Sequence, residues 1–391
     1  MSWPIVQLKD IGNIVTGSTP SKSVLEYFGG NIPFISPGEL GKSIYVNTAK
    51  QSLSEEGGKV SRLLPKNAVM VCCIGSLGKA AITTTQVATN QQINSIIVDE
   101  SIADPLFVYF YCLTLKPLLE SMAPATTVAI INKTRFSELE IPLPPLPVQK
   151  QIAAALEKAD TLRGQCQQME QELNTLAQSV FLDMFGDDYS PTELGKYTAV
   201  VTSGSRGWAK YYSEDGARFI RSLDVQMNYI GTKDIAYVNA PSGKEAERAK
   251  VQHGDVLLTI TGSRIGRVCW VTEDIDEAYI SQHVALLRLN DKFLPEFVSY
   301  FLSMPALGQR QIKKAQYGQT KPGLNLSQIK AFTIPDVPIK EQKQFLKAIS
   351  ANNQIKTLNN FNNSNIDNLF NSLMQRAFKG ELALKDIKDV A

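Results

Sequence analysis

Cysteine, histidine and long apolar runs are scarce in this sequence. Its 391 residues include five cysteines, none in a C-x-x-C pair, and two histidines, His253 and His283. This composition argues against a disulfide framework and a zinc site, and it fits a reducing cytoplasm. No stretch approaches the ~18 apolar residues of a membrane-spanning helix, and the N-terminal residues lack the pattern of a secretory signal. We therefore expect a cytoplasmic protein with no membrane partner and no bound metal.

An excess of one charge is also missing. Forty Lys and Arg residues oppose 38 Asp and Glu residues, a formal net charge of +2. Any basic surface must therefore be local. Residues 190–330 carry 18 basic and 14 acidic side chains with eight arginines, whereas residues 1–145 carry 11 of each sign with two arginines. Residues 146–189 carry 3 basic and 7 acidic side chains, which suits a protein partner better than DNA.

Complete enzyme motifs are absent as well. Gly41-Lys42-Ser43 matches the end of a phosphate-binding P-loop, but Ser36 stands where the first glycine belongs. Asn31-Ile32-Pro33-Phe34 is similar to the Asn-Pro-Pro-Phe/Tyr signature of adenine methyltransferases, but its second residue differs and no F-x-G-x-G cofactor motif is present. No Ser/His/Asp order and no H-E-x-x-H motif stands out. The sequence therefore predicts a chain with no catalytic residues and no cofactor of its own.

The sequence does contain an internal repeat. Residues 131–152 align without a gap with residues 324–345, and seven of the 22 positions are identical. The identical pairs are Asn132/Asn325, Ile141/Ile334, Pro142/Pro335, Pro145/Pro338, Gln149/Gln342, Lys150/Lys343 and Gln151/Gln344. Earlier matches recur in the same order, namely Gly17-Ser18 with Gly204-Ser205, Phe34-Ile35 with Phe219-Ile220, Gly75–Lys79 with Gly262–Arg267, and Gln91 with Gln282. We predict a duplicated chain.

Each half is predicted to be a mixed α/β domain followed by a long helix, which gives an α+β fold overall. Short β-prone runs such as Ala68–Ile74 and Asp255–Thr261 alternate with Gly and Pro turns. A proline-rich segment then closes each domain, because proline cannot continue a helix or a central strand. The predicted bounds are 1–146 for the first domain, 147–187 for the first helix, 188–337 for the second domain, 338–383 for the second helix and 384–391 for a C-terminal tail.

Apolar residues at steps of three and four predict a coiled-coil-like seam along both long helices. A helix of about 35 residues spans roughly 50 Å. The second helix has nine asparagines between Asn352 and Asn371, so its intrinsic helix propensity is poor and it needs a partner. We predict that the first helix is that partner. The predicted interface residues are Ile152, Leu156, Leu162, Met169, Leu173, Leu176, Ile349, Leu358, Ile366, Leu369 and Leu373.

The glycine-rich hairpins are the main candidate for chemistry. In both halves Gly-Ser and a second glycine precede a cation, Lys79 or Arg267, an arrangement that fits a phosphate clamp. A glycine-rich turn with a solvated cation explains the hairpins equally well. Downstream, Asn90-Gln91-Gln92 and Ser281-Gln282-His283 carry side chains suited to the adenine edge, or to ordinary hydrogen bonds at a strand edge. The predicted DNA-binding residues are Ser18, Thr19, Lys22, Ser36, Ser76, Lys79, Asn90, Gln91, Gln92, Ser205, Arg206, Arg221, Ser263, Arg264, Arg267, Gln282, His283, Tyr317 and Lys321.

Three segments together resemble the specificity subunits of Type I restriction-modification systems. They are the run from Tyr27 to Ser36, the Thr89-Asn90-Gln91 segment, and Ile141-Pro142-Leu143-Pro144-Pro145 followed by Gln149 and a long helix. The resemblance covers essentially the whole chain, including the order of domain, helix, domain and helix. The second half departs from it, since Asp336-Val337 interrupts the proline run.

The resemblance implies a non-catalytic subunit that recognises double-stranded DNA. Each domain would be a target recognition domain that reads one half of a bipartite site. The helices would pair antiparallel, space the domains and dock two methyltransferase (M) subunits, and two restriction/translocase (R) subunits would join. S-adenosylmethionine, ATP and Mg would be held only by those partner subunits. The alternatives are a solitary DNA-modifying enzyme, either an adenine methyltransferase or a nuclease, and a coiled-coil scaffold that does not bind DNA.

Overall fold

The computed structural model describes residues 3–123, 129–186, 189–272, 275–316 and 323–381. The chain divides into two compact units. Unit 1 comprises Met1–Gln167 and Asn360–Ala391, and unit 2 comprises Gln168–Asn359. Each unit thus combines one globular domain with a segment of each long helix. Over the described ranges, no helix is both long and apolar enough to cross a membrane.

Unit 1 is built from short strands and helices. Its strands are β1 (Ile5–Gln7), β2 (Gly12–Thr16), β3 (Phe28–Ile35), β4 (Tyr45–Val46), β5 (Gln51–Leu53), β6 (Leu63–Leu64), β7 (Val69–Cys72), β8 (Ala80–Thr83), β9 (Val87–Thr89), β10 (Ile93–Val98) and β11 (Glu140–Pro142). Its helices are α1 (Glu55–Lys59), α2 (Pro105–Thr114), α3 (Lys116–Met122), α4 (Lys133–Ser137) and the first part of α5 (Leu146–Phe185). The sheets have the orders β2-β10-β7-β8-β4, β5-β3-β9-β6 and β1-β11. Helix α2 packs on β7 and β8, and its Phe107 and Phe110 belong to the main core.

Unit 2 repeats this plan. Its strands are β12 (Pro191–Glu193), β13 (Thr198–Ser203), β14 (Tyr212–Ser213), β15 (Ala217–Ile220), β16 (Tyr237–Val238), β17 (Val256–Thr259), β18 (Val268–Trp270), β19 (Ala278–Ile280), β20 (Val284–Leu289) and β21 (Thr333–Pro335). The remaining helices of the chain are α6 (Lys244–Ala249), α7 (Pro295–Ser303), α8 (Gly308–Ala315), α9 (Leu326–Lys330), α10 (Ile339–Ala348) and α11 (Ser350–Phe378). The sheets of unit 2 have the orders β13-β20-β17-β18, β14-β16-β15-β19 and β12-β21.

The strand orders confirm the predicted duplication. Strand β10 lies between β2 and β7 in unit 1, as β20 lies between β13 and β17 in unit 2. The pair β3 and β9 is parallel, and so is the pair β15 and β19. The segments with the highest repeat identity form the last strand of each domain, β11 or β21, which pairs with the first strand, β1 or β12.

The repeated glutamine holds each domain to the start of its long helix. The Gln149 side chain is fully buried and accepts a hydrogen bond from the Asp104 backbone N–H (2.9 Å). Its amide nitrogen donates to the carbonyls of Ile102 (3.1 Å) and Pro144 (2.8 Å). Gln342 is equally buried and makes the same three bonds to the equivalent backbone groups of unit 2. The identity of these residues therefore has a structural cause, since buried backbone groups need partners.

The long helices differ slightly from their predicted bounds. Helix α5 begins at Leu146, and Pro147 lies in its first turn, where a missing N–H costs nothing. It ends at Phe185, two residues before the predicted end. The second long helix was predicted as one element, but it is interrupted at Ile349, which separates α10 from α11.

In unit 2 the two long-helix segments run antiparallel, as predicted. The Asn352 side chain donates to the Leu173 carbonyl (2.9 Å), and the rings of Phe345 and Phe181 pack with centroids 5.4 Å apart. Residue numbers thus rise along α5 as they fall along its partner. In unit 1, Arg163 Nε donates to Asp367 Oδ1 (2.8 Å), and the Arg163 guanidinium lies 4.5 Å from the centroid of the Phe370 ring.

The predicted helix seam differs from the observed burial. Ile152, Leu156, Ile349 and Leu373 are buried, and Leu173 and Ile366 are half-buried. The seam is wrong at five positions whose side chains are 41–64% exposed, namely Leu162, Met169, Leu176, Leu358 and Leu369. The pattern failed because the buried apolar residues join the domain cores toward the helix ends, and steps of three and four do not show which neighbour covers a given turn. Additional buried residues are Ala153, Ala155, Ala159, Ala177, Phe181, Phe185, Phe370, Met374 and Ala377.

Candidate nucleic-acid interface

In unit 1, parallel strand pairing brings predicted DNA-binding residues together. Ile35 at the end of β3 pairs with Thr89 at the end of β9, and the Asn90 N–H donates to the Ile35 carbonyl (3.2 Å). Because parallel strands end at the same edge, Ser36 and the Asn90 segment leave the sheet side by side. The edge also receives the segment that follows β2, since the Ser18 N–H donates to the Thr89 carbonyl (2.9 Å).

Glycine is required where that segment crosses the edge. A Cβ on Gly17 would lie 2.1 Å from the Asn90 carbonyl oxygen, so no larger residue fits without a shift. This close approach places Thr19 beside Gln91, and the Thr19 hydroxyl donates to Gln91 Oε1 (2.6 Å). Asn90 Nδ2 donates to Gln92 Oε1 (3.0 Å). We call this set of partly exposed polar residues the unit 1 edge: Ser18, Thr19, Ser36, Asn90, Gln91 and Gln92.

The hairpin between β7 and β8 adjoins the unit 1 edge. The Cys73 N–H donates to the Gln92 carbonyl (2.8 Å). Gly75 and Gly78 have φ values of 78° and 77°, a region that favours glycine. Ser76 and Lys79 are exposed, and Lys22 is exposed in the connection between β2 and β3.

Unit 2 forms the same kind of edge with different side chains. The Ser281 N–H donates to the Ile220 carbonyl (2.9 Å) where β15 and β19 end, and a Cβ on Gly204 would lie 2.1 Å from the Ile280 carbonyl oxygen. Gln282 and His283 side chains are 3.1 Å apart between Nε2 atoms. We call the following residues the unit 2 edge: Ser205, Arg221, Gln282 and His283.

An acidic residue supports the start of each edge. Glu39 accepts hydrogen bonds from the Ser36 N–H (2.9 Å) and hydroxyl (2.6 Å). Burial raises the pKa of Glu39, but the Ser36 bonds and nearby Lys42 outweigh it and keep the pKa below its ordinary value. Asp224 takes the same place in unit 2, where it accepts from the Arg221 N–H (2.8 Å) and Nε (3.0 Å). Arg221 is therefore oriented by an acid that pairs with its positive charge.

The two predicted phosphate clamps are not equivalent in the structure. Lys79 is exposed, whereas Arg267 is half-buried and donates to Gln226 Oε1. Burial, together with the charge of Arg264, lowers the pKa of the Arg267 guanidinium. Arg264 itself is exposed and donates to the Leu223 carbonyl (3.2 Å), and Ser263 beside it is exposed. The second hairpin therefore directs Arg264 and Arg267 toward the segment that follows β15.

Two arginines that the sequence did not single out contact these edges. The Ser18 hydroxyl accepts a bond from the Arg62 N–H (3.3 Å), and Arg62 Nη1 donates to the Thr16 carbonyl (2.9 Å). In unit 2, Arg248 Nη2 donates to the Ser205 hydroxyl (2.8 Å). No repeat match marked either arginine. Arg206 is exposed beside Ser205. The predicted residues Tyr317 and Lys321 lie outside the described residues.

Within the described parts of the chain, no group of His, Cys, Asp or Glu side chains could hold a metal ion. The polar groups at the two edges are hydroxyls, amides, one imidazole and guanidinium groups. All of these groups can donate to phosphate oxygens, and the hydroxyls, amides and imidazole can both donate to and accept from base edges. The arrangement suits nucleic-acid recognition.

Comparisons with known proteins agree with this assignment. The family described as "Type I restriction modification DNA specificity domain" matches residues 2–175 and 220–382. The specificity subunit of the Type I restriction enzyme MjaVIII from Methanocaldococcus jannaschii is 22% identical over 98% of this chain and 94% of that protein. The MjaIX specificity subunit from the same organism is 30% identical, but the alignment covers 47% of this chain and only 44% of that relative. The EcoBI specificity subunit of Escherichia coli is 25% identical over 75% of this chain and 69% of its own length.

A solved structure shares the fold. The crystal structure of a Type I restriction-modification S subunit from M. genitalium superposes with a TM-score of 0.57 at 15% identity, over 97% of this chain and 96% of that one. The two family matches fall on the two halves of the duplicated chain and cover most of it. This chain therefore belongs to the DNA specificity family of Type I restriction-modification systems, a family of DNA-recognition subunits and not of catalytic ones.

Proposed function

We propose that the chain reads a bipartite target in double-stranded DNA, one half-site through the unit 1 edge and the other through the unit 2 edge. The observation that carries this proposal is the recurrence of one backbone arrangement with different side chains. Both edges form where two parallel strands end and a glycine segment crosses them. One edge presents amides and hydroxyls alone, whereas the other adds an arginine and a histidine to a serine and a glutamine, so the two would prefer different bases.

The long helices would dock two methyltransferase subunits, and two restriction subunits would join the assembly. Support comes from apolar side chains that the helices leave exposed. In unit 2 these include Met169, Leu176, Ile355 and Leu358, which are 45–64% exposed. Exposed apolar groups of this size mark protein interaction sites when they cluster. The chemistry would belong to those partners, which would hold S-adenosylmethionine, ATP and Mg.

A domain exchange tests the proposal. Residues 190–335 would be replaced by the matching segment of a relative, and the chain would be expressed with its methyltransferase subunits in a host lacking other methylation. Long-read detection of methylated bases gives the target directly. We expect one half-site to change and the other half-site and the gap to stay the same. The reciprocal exchange of residues 5–140 should change only the other half-site.

Two outcomes would contradict the proposal. A change of both half-sites in either exchange would show that the units do not read independently. An assembly that forms with the methyltransferase subunits but neither binds duplex DNA nor methylates it would favour the scaffold alternative. Co-purification of the subunits with each exchanged chain separates this outcome from misfolding.

A further inference from the structure

A cleft of about 310 Å³ opens on unit 2 between the segment after Ser205 and the start of α6. Three of its lining residues are the cations Arg206, Lys210 and Lys244, and one is the acid Glu245. All four are exposed. The cleft therefore concentrates positive charge on a concave surface in a chain whose net charge is only +2. A concave wall of one charge sign raises the local concentration of ions of the opposite sign.

Aromatic side chains fix the wall of this cleft. Trp208 is buried and stacks on Phe219, with ring centroids 5.6 Å apart and an interplanar angle of 13°. This contact anchors the cleft to the core of unit 2. The Lys210 ammonium lies 4.9 Å from the centroid of the Tyr211 ring, and Tyr211 also lines the cleft. This cation–π contact favours a Lys210 conformation in which the ammonium lies at the cleft.

The matching region of unit 1 is less basic. Ser18 corresponds to Ser205, and the segment that follows Ser18 carries one exposed cation, Lys22, whereas the segment after Ser205 carries Arg206 and Lys210. Helix α1 precedes β7 as α6 precedes β17. The first turn of α1 carries Glu55 and Glu56, whereas α6 begins with Lys244 and continues with Glu245 and Glu247. The positive charge of the cleft is thus a property of unit 2 and not of the fold that the two units share.

The cleft adjoins the unit 2 edge. Helix α6 supplies Lys244 to the cleft, and it also supplies Arg248, which bonds the Ser205 hydroxyl (2.8 Å). Arg206, next in sequence, lines the cleft. A DNA strand lying on the edge would therefore bring a neighbouring phosphate to these cations.

We propose that this cleft binds a backbone phosphate next to the half-site read by unit 2. Unit 2 would then carry more of the sequence-independent DNA affinity than unit 1. The inference rests on the proposed function and extends it, because it assigns a phosphate-binding role to Lys210 and Lys244. Phosphate contacts position a protein on DNA without reading sequence, so the cleft should raise affinity equally for all sequences.

The test uses the full chain assembled with its methyltransferase subunits and a duplex that contains the target. Fluorescence anisotropy at several salt concentrations gives the slope of log affinity against log salt. Each phosphate contact contributes about 0.9 to that slope. We expect the double variant Lys210→Ala, Lys244→Ala to lose about 0.9 units of slope, the share of one phosphate contact, by a similar amount on target and non-target duplexes. The methylated sequence should stay the same.

A matched control removes the same charge from the same unit. Lys196 and Lys330 are exposed and do not line the cleft, so Lys196→Ala, Lys330→Ala should keep the slope of the wild type. Equal slopes for the two double variants would overturn the inference, as would an altered methylation target in the cleft variant. A wild-type assembly that fails to bind duplex DNA would instead refute the proposed function. Stronger competition by double-stranded RNA than by DNA would also overturn the inference. Unchanged melting temperatures exclude misfolding as the cause of any loss.

Discussion

The two units share a backbone plan and differ in what they place on it. Just before β7, unit 1 has Ala68, and on the adjacent strand β10 it has Ile97. The equivalent positions in unit 2 hold Asp255 and Arg288, whose side chains form two bonds of 2.8 Å. Asp255 is fully buried, and the Arg288 side chain is 29% exposed. The same strand arrangement thus accepts either an apolar pair or an ion pair within its sheet.

The edges show the same contrast. Unit 1 presents hydroxyls and amides with two exposed lysines, Lys22 and Lys79, nearby, whereas unit 2 presents arginines that acids and carbonyls hold in place. The comparison teaches that duplication fixed the strand order and the close backbone approaches, and left the polar side chains free to diverge. That separation is what a pair of readers with different targets needs.

The largest effect should follow from breaking the buried ion pair. Asp255→Ala leaves the Arg288 charge without its partner, which should destabilise unit 2 by about 3 kcal/mol. The double variant Asp255→Ala, Arg288→Ile copies unit 1 and should recover most of that loss, because apolar pairs replace buried ion pairs well. Urea denaturation followed by tryptophan fluorescence measures both. In a Trp3→Phe background the remaining tryptophans, Trp208 and Trp270, lie in unit 2.

Equal losses in the single and double variants would contradict this interpretation. They would show that the sheet of unit 2 does not tolerate the apolar pair found in unit 1. The matched double variant in unit 1, Ala68→Asp with Ile97→Arg, tests whether the sheet of unit 1 accepts the ion pair of unit 2 at the equivalent positions. If the double variant of unit 2 recovers stability but that of unit 1 does not, then the packing around each pair, and not the shared strand order, decides which pair is accepted.

A smaller effect should separate the two hairpin cations. Lys79→Ala should lower the salt slope of DNA binding by about 0.9, because an exposed ammonium is free to reach a phosphate. Arg267→Ala should leave the slope within error of the wild type, because that guanidinium is half-buried and bonded to Gln226. Anisotropy titrations of the assembly with its methyltransferase subunits measure both. Equal slope losses would show that Arg267 leaves Gln226 when DNA binds.

Much of the frame could be predicted from sequence because its signals are local or repeated. The step pattern of apolar residues gave the first long helix, and the repeat pairs marked the strands and the buried glutamines Gln149 and Gln342. The contacts at the edges are different in kind. Arg62 reaches Ser18 across 44 residues of sequence, and Arg248 reaches Ser205 across 43. No local pattern encodes such pairs, because they depend on how separate segments pack.

The helix seam failed for a related reason. Periodicity shows which side of a helix is apolar, but not which neighbour covers each turn. Leu162 and Met169 follow the predicted steps and remain exposed, whereas the polar residues Lys356, Asn352 and Asn359 are buried. In the middle of these helices some apolar side chains are therefore exposed and some polar ones are buried, which is the reverse of the predicted seam.

Buried Lys356 marks a last contrast between the units. Its side chain is 6% exposed, and its ammonium donates to Asn174 Oδ1 (2.7 Å). Burial lowers the pKa of Lys356, and Glu170 only partly opposes this. The long-helix segments of unit 1 instead carry the Arg163–Asp367 pair, whose side chains are 30% and 51% exposed.

The smallest expected effect follows from Lys356→Met, which keeps the packing of the stem and removes the buried charge. Because the folded pKa lies below the unfolded value, burial of the charge costs stability while the folded ammonium is protonated, and the cost is relieved as pH rises from the folded pKa toward the unfolded one. We expect the variant to match or exceed the wild type by up to about 1 kcal/mol at pH 7, and the wild type to gain relative to it as pH rises toward the ordinary lysine pKa of about 10.4. Urea denaturation at both ends of this pH range measures this. Arg163→Met is the matched control in unit 1 and should cost at most about 1 kcal/mol, with no such change between the two pH values. A loss well above that at pH 7 for Lys356→Met would show that the bond to Asn174 outweighs the burial of the ammonium.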